Sequence, residues 1–178
     1  MKTDPKVSII IRTLNEASHL PELFKLIHQQ SYQNYETVVV DSGSYDGTKE
    51  IARQFSDKLL TIEQDNFTFG FAINYGIKHS SGELACIVSA HTIPTDSNWL
   101  KELVSAFNSD SLHNGVAMSY GRQVGDPISN FSEKMDFKSH FGLVEMKQSR
   151  PDYFCNNANA LIRKDLWIDH PFDESLTG

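Results

Sequence analysis

Short, nearly continuous apolar runs alternate along this chain with longer stretches whose apolar residues recur every three or four positions. Val7-Ser8-Ile9-Ile10-Ile11 is β-branched and almost wholly apolar, as expected of a strand covered on both faces. It breaks off at Arg12-Thr13-Leu14-Asn15-Glu16. Over 17–30, Leu20, Leu23, Phe24 and Ile27 share one helical face, and Pro21 lies early, where its missing N–H costs little. A second β-branched run at 36–40 ends in Asp41-Ser42-Gly43-Ser44-Tyr45-Asp46-Gly47-Thr48, a turn rich in capping and permissive residues. Ile51, Ala52 and Phe55 then mark the next helix. A third strand is expected at 58–62, a polar and aromatic connection at 65–70, and a helix over 71–79 that Ser81-Gly82 terminates. The fourth strand, 84–88, runs into Ser89-Ala90-His91-Thr92-Ile93-Pro94. There the proline forbids further pairing, and a helical pattern begins at Asp96 with Trp99, Leu100, Leu103, Val104 and Phe107 on one side. Residues 116–120 read as a fifth strand leading to Gly121-Arg122-Gln123.

Strand and helix alternate through all of this, which predicts an α/β fold of Rossmann-like type: a doubly wound, mostly parallel sheet with right-handed crossovers. Residues 125–150 lose the periodicity and suggest a loop followed by an irregular surface helix over 129–147. Residues 153–162 read as a polar turn entering a last short strand, with a short helix beginning over 163–167. The final Pro171-Phe172-Asp173-Glu174-Ser175-Leu176-Thr177-Gly178 adds no closing element, so the expectation is a fold truncated at its C-terminus.

A chain of 178 residues is long enough for one well-packed core, so a single domain is expected. The net charge of -7 argues against a nucleic-acid partner, whose phosphates call for a basic stripe. No apolar run approaches the roughly 18 residues of a membrane span. Cys86 lies in a strand-like run and Cys155 in a loop far away, so no disulfide framework is suggested. Together with the absence of a signal-like N-terminus, this points to a reducing, cytoplasmic setting.

In open α/β sheets, ligands collect at the carboxyl ends of the strands. Thr13 and Asn15 after the first strand, Asp41 and Ser42 after the second, and Ser89 and His91 after the fourth are therefore candidates for one shared site. Asp41 and Asp46 also suit plain capping of the following helix, and both roles can coexist. A dinucleotide-binding turn of the Gly-x-Gly-x-x-Gly kind is excluded, because residues 12–17 contain no glycine.

Val7 to Asn15, Val38-Val39-Val40-Asp41-Ser42-Gly43-Ser44 with Asp46-Gly47-Thr48, and Asn74-Tyr75-Gly76 with Gly82-Glu83-Leu84 together resemble the inverting family 2 glycosyltransferases of GT-A fold. Ser89-Ala90-His91 with Pro94 and Trp99, Gly121-Arg122-Gln123, and the 156–163 segment with Pro171-Phe172-Asp173 resemble bacterial rhamnosyltransferase-like members more narrowly. The resemblance implies transfer of a sugar, with inversion, from a UDP- or dTDP-sugar to an acceptor hydroxyl, as in bacterial surface polysaccharide or lipopolysaccharide synthesis. It implies a donor-binding half at 1–123 and a partial acceptor half at 124–178. Thr13, Asn15, Glu16, Asp41, Ser42, Asn74, Ser89 and Ala90 would surround the donor, with Arg122 and Asn157 on the acceptor or phosphate side. Asp41 could accept the N3–H of uracil or thymine. The acceptor would be a carbohydrate or a lipid-linked sugar, the latter bringing the protein to the inner face of the cell membrane.

Four positions depart from the family pattern. Ser42 stands where many relatives have a second aspartate, and Ile73 where many have an arginine. The Asp-x-Asp that holds a divalent ion against the leaving diphosphate is replaced by Ser89-Ala90-His91. Three outcomes stay open: His91 ligates Mn²⁺ or Mg²⁺, basic groups such as Arg122 do the work without metal, or nucleotide binds without turnover. The family's general base is expected beyond Gly178, so binding with poor transfer is the expectation for these residues alone. A non-catalytic nucleotide-sugar-binding module is the alternative.

Overall fold

β-Branched residues at the centre of the sheet set the architecture. In the computed structural model, which describes residues 4–108, 115–125, 129–149, 151 and 154–176, β1 spans Val7–Thr13 and β2 spans Tyr35–Asp41. They pair in parallel from Val7↔Tyr35 to Thr13↔Asp41. On its other side β1 pairs in parallel with β4 (Leu84–Ser89), bringing Arg12 level with Ser89. β3 (Lys58–Thr61) adds to β2, with Thr61 level with Asp41. Ile9, Ile10, Ile11, Val38, Val39 and Val40 are fully buried, each worth about 1.5–3 kcal/mol by the usual transfer scale.

The helices cover both faces. On one side α1 (Leu20–His28), α2 (Thr48–Phe55) and α4 (Trp99–Asn108) enclose a core with Leu23, Phe24, Val39, Cys86 and Phe107. On the other, α3 (Phe69–Lys78) packs Ala72, Ile73 and Ile77 against Ile10, Val40 and Ile87. The alternation along each strand thus divides its side chains between two apolar layers, the arrangement of a doubly wound sheet. Trp99, expected in the core from its helical spacing, is buried, and its indole N–H donates to Asn159 Oδ1 at 2.8 Å.

Three details differ from the sequence expectation. α1 begins at Leu20 rather than 17, because Glu16 to His19 form a turn in which Glu16 O accepts from the N–H groups of His19 and Leu20. The helix expected over 129–147 is confined to α5, Phe131–His140. The sheet order is β3-β2-β1-β4-β6-β5, so the last strand, β6 (Asn159–Arg163), wedges between β4 and β5 (Met118–Tyr120), antiparallel to both. Ala160-Leu161-Ile162 is an apolar run that suits a strand, but nothing local to it specifies its direction or partner. α6 (Lys164–Asp169) closes the described elements. Tyr153, Thr177 and Gly178 lie outside the described residues. Among those described, no helix is long and apolar enough to cross a membrane.

Candidate functional site

Because β1, β2 and β4 run parallel, their carboxyl ends share one edge of the sheet. β6, running the other way, delivers the residues that precede it to that same edge, and Ser89 N–H donates to Ala158 O at 3.4 Å. β5, antiparallel to β6, brings Gly121-Arg122-Gln123 there too. Thr13, Asn15, Glu16, Asp41, Ser42, Ser89, Ala90, His91, Arg122 and Asn157 therefore sit along one rim, as the strand reading required.

Asp41 is fully buried at the tip of β2. Its Oδ1 accepts from the N–H groups of Gly43 (3.1 Å) and Ser44 (3.0 Å), and its Oδ2 accepts from Thr13 Oγ1 at 3.2 Å. Lys49 Nζ stands 3.8 Å from Oδ1. The carboxylate thus shapes its own turn, with Oδ2 less heavily engaged than Oδ1. Asp46 is structural as well: its Oδ1 accepts from Thr48 N and Oγ1, and its Oδ2 accepts from Ala17 N. Hydrogen bonds from Thr48 head the causes that hold its carboxyl below the usual aspartate range.

The loops after β1 and β2 are laced together. Asn15 N–H donates to Ser44 Oγ (2.8 Å), Glu16 N–H donates to Thr48 Oγ1 (2.8 Å), and Tyr45 N–H donates to Asn15 Oδ1 (3.1 Å). This fixes Glu16, whose side chain reaches across to β4. Its Oε1 lies 3.2 Å from His91 Nδ1, and its Oε2 lies 2.7 Å from His19 Nδ1. His91 in turn stands 3.2 Å from Ser89 Oγ through its Nε2. A continuous line of contacts therefore runs from Asp41 through the Asn15-Glu16 turn to His91.

Three buried side-chain polar atoms among the described residues have no hydrogen-bond partner: Arg12 Nε, Ser42 Oγ and Asn157 Oδ1. They lie at the tips of β1, β2 and the entry to β6. Buried polar groups are normally satisfied, so an orphan at each of these three places is unusual.

Asn74 behaves differently from the other donor-side candidates. Its Nδ2 donates to Phe172 O and Glu174 Oε1, both at 2.8 Å, and its Oδ1 accepts from Trp167 Nε1 (2.8 Å) and Phe172 N (3.0 Å). Every hydrogen-bonding position of the amide is used inside the protein. It fastens the C-terminal segment across the start of α3, so closely that a Cβ on Gly70 would lie 2.3 Å from Asp173 O. The spacing of Asn74 within its helix gave no hint of this, because its partners lie 93 to 100 residues away.

Beside β5 and α5, an open cleft of about 380 Å³ is lined by Arg122, Gln123, Lys134, Phe137, Lys138 and Phe141 among others. Gln123 Nε2 donates to Asn156 Oδ1 at 2.7 Å, tying the strand-five loop to the entry of β6. Gly121 is required where it stands, since a Cβ there would meet Asn159 Nδ2 at 2.4 Å.

A metal held by the protein alone does not fit this rim: among the described residues no three His, Cys, Asp or Glu side chains gather closely enough. What does stand there is the Glu16 carboxylate, with His91 on one oxygen and His19 on the other; His91 and Glu16 are the pair at the tip of β4. A hard divalent ion bound mainly through a diphosphate asks little more of its protein, so the pair fits that shared role. Sequence reasoning set Glu16 near the donor but overlooked its contact with His91, which only the tertiary fold creates.

The six-stranded sheet with helices on both faces matches GT-A glycosyltransferase structures. Residues 8–168 match the glycosyl transferase family 2 domain, and the chain belongs to that family. It is 33% identical to glycosyltransferase AglE of Haloferax volcanii, over 98% of this chain and 58% of AglE. It is 34% identical to glycosyltransferase GlyA of Streptococcus pneumoniae over 51% of this chain and 13% of GlyA. Among solved structures, S. aureus TarS 1-349 in complex with UDP aligns with a TM-score of 0.73 at 23% identity, covering 97% of this chain and 52% of that one. The mannosyltransferase PcManGT from Pyrobaculum calidifontis, in complex with GDP-Man and Mn²⁺, aligns with a TM-score of 0.69 at 20% identity, covering 98% and 49%. The chain thus spans little more than half the length of AglE and about half of either solved chain.

Proposed function

We propose that this chain binds a UDP- or dTDP-sugar at the rim described above, as the donor-binding part of an inverting glycosyltransferase of rhamnosyltransferase-like kind. The acceptor is the hydroxyl of a carbohydrate or lipid-linked sugar in surface polysaccharide or lipopolysaccharide synthesis. The observation that carries this reading is the convergence of the tips of β1, β2 and β4 with the turn before β6 on one edge, where open α/β sheets take their ligands.

Each group then has a task. Asp41 Oδ2 takes the N3–H of the base, and Ser42 Oγ, with no internal partner, shares that recognition. Glu16 orients His91 toward the diphosphate. His91 and Glu16 would hold a Mn²⁺ or Mg²⁺ together with the phosphates; such an ion, when bound, offsets the charge of the leaving diphosphate. Arg122 and its cleft face the acceptor. No base is assigned to Asp173 or Glu174: Asp173 Oδ1 accepts from Ser175 N and Oγ, and Glu174 is engaged by Asn74. Two free cysteines, one of them exposed, suit a reducing cytoplasmic setting.

Selective binding raises apparent stability by mass action. UDP- and dTDP-sugars should raise the melting temperature, GDP-sugars should do so less, and Mn²⁺ should add an increment that His91→Ala removes. If no nucleotide sugar shifts the transition, the reading is wrong. A second reading, a nucleotide-sugar-binding module without turnover, is favoured by Ser89 and His91 in place of the two acids. It predicts binding with no donor consumed when acceptors are supplied.

A further inference from the structure

Arg12 lies one residue from the tip of β1, level with Ser89 of β4 and with Val40 of β2. In a parallel pair, side chains at matched positions point to the same face. Arg12 and Ser89 thus share a face, the one on which Ile10 packs beneath α3. The guanidinium rests over the ring of Phe69, 5.0 Å from its centroid, at the first residue of α3. Its Nε is sealed from solvent without an acceptor. Burial pushes its pKa down, and no neighbouring carboxylate opposes that.

Folding alone gives no reason for this arrangement. Arg12 is only partly buried, but an Nε sealed without an acceptor is costly, and a cation–π contact offsets only part of that cost. The acids of the rim are occupied: Asp41 by Thr13, by two backbone N–H groups and by Lys49, and Glu16 by His19 and His91; Asp173, whose backbone packs on Gly70 beside Phe69, is held by Ser175. An apolar residue at position 12 would serve the layer under α3 better. The side chain is therefore kept for an anion from outside, and it stands beside the strand tip that carries Ser89 and the His91 loop. The start of α3 adds the favourable end of a helix dipole. Ile73 contributes no charge on this helix.

We propose that Arg12 is the anion anchor of the site, its guanidinium binding the diphosphate oxygens of the nucleotide sugar. This rests on the donor reading above and adds to it a fixed positive charge that works without metal. It also accounts for a family 2 site that has given up both acids of its metal motif: part of the neutralisation has moved to the floor of the crevice.

The test is titration calorimetry of the chain with UDP, dTDP and uridine in EDTA, for wild type, Arg12→Met and Arg12→Gln. A charge-assisted, bidentate phosphate contact should make Arg12→Met lose roughly ten- to hundredfold in UDP affinity while uridine binding is unchanged. Without ligand, Arg12→Met should melt no lower than wild type, since it removes a partly buried guanidinium whose Nε has no acceptor. Should it fail to fold, Arg12→Gln, polar and uncharged, is expected to show the same selective loss. Wild-type affinity for UDP in the neutral variants overturns the role of Arg12 and leaves the donor reading standing. If wild type binds neither UDP nor dTDP in EDTA, Arg12 is not a metal-free anchor and this inference falls; if it binds neither with Mn²⁺ added as well, the donor reading falls too.

Discussion

Asn15 holds a left-handed backbone (φ 56°) at the turn where β1 gives way to α1, and its side chain uses that turn to accept from Tyr45 N–H. Asparagine tolerates this conformation better than other residues bearing a Cβ, because its short amide bonds locally. Asn15→Ala should therefore lose about 1–2 kcal/mol in chemical denaturation, combining backbone strain with an unmet N–H. Asn15→Gly relieves the strain and should lose less. A larger loss for glycine than for alanine would mean that the conformation is not what the site depends on. Since the next residue, Glu16, is the one that touches His91, both variants should also weaken any Mn²⁺-dependent binding.

At the scale of the element, the end of the sheet opposite the site is anchored by Glu36 of β2. Its Oε1 accepts from Ser8 Oγ (2.6 Å), Ser81 N (2.5 Å) and Ser81 Oγ (3.0 Å), and Lys6 Nζ stands 3.7 Å from Oε2. Burial by itself would raise its pKa, but the bonds from Ser8 and Ser81, helped by Lys6, hold it down to about 2 against an ordinary 4.5. A depressed carboxylate contributes stability that is whole above 4.5 and is lost as pH falls toward 2. Melting temperatures measured across that window should fall for wild type and fall less steeply for Glu36→Gln. Parallel slopes would assign the acid sensitivity to other carboxylates. The pairing of β1 with β2 and β4 thus has the Glu36 fastening at one end and the candidate rim at the other.

For the whole molecule, Asn74 decides how the C-terminal segment closes over α3. Asn74→Asp replaces the two N–H donors with a charge facing Glu174, so it should lose about 2–3 kcal/mol and speed amide exchange over 171–176 relative to the central strands. Unchanged exchange there would show the clasp to be incidental. The chain announced its central strands, its helices and the rim they share, because β-branched runs, helical spacing and turn chemistry are local and a parallel sheet gathers its strand tips on one edge. Asp41, Ser42, Ser89 and His91 were legible for that reason alone. The antiparallel insertion of β6, the reach of Glu16 to His91, the clasp on Asn74 and the unpaired Arg12 each depend on partners far away in sequence. Periodicity carries no information about such meetings, because they are set by which surfaces remain to be covered once the central strands have paired.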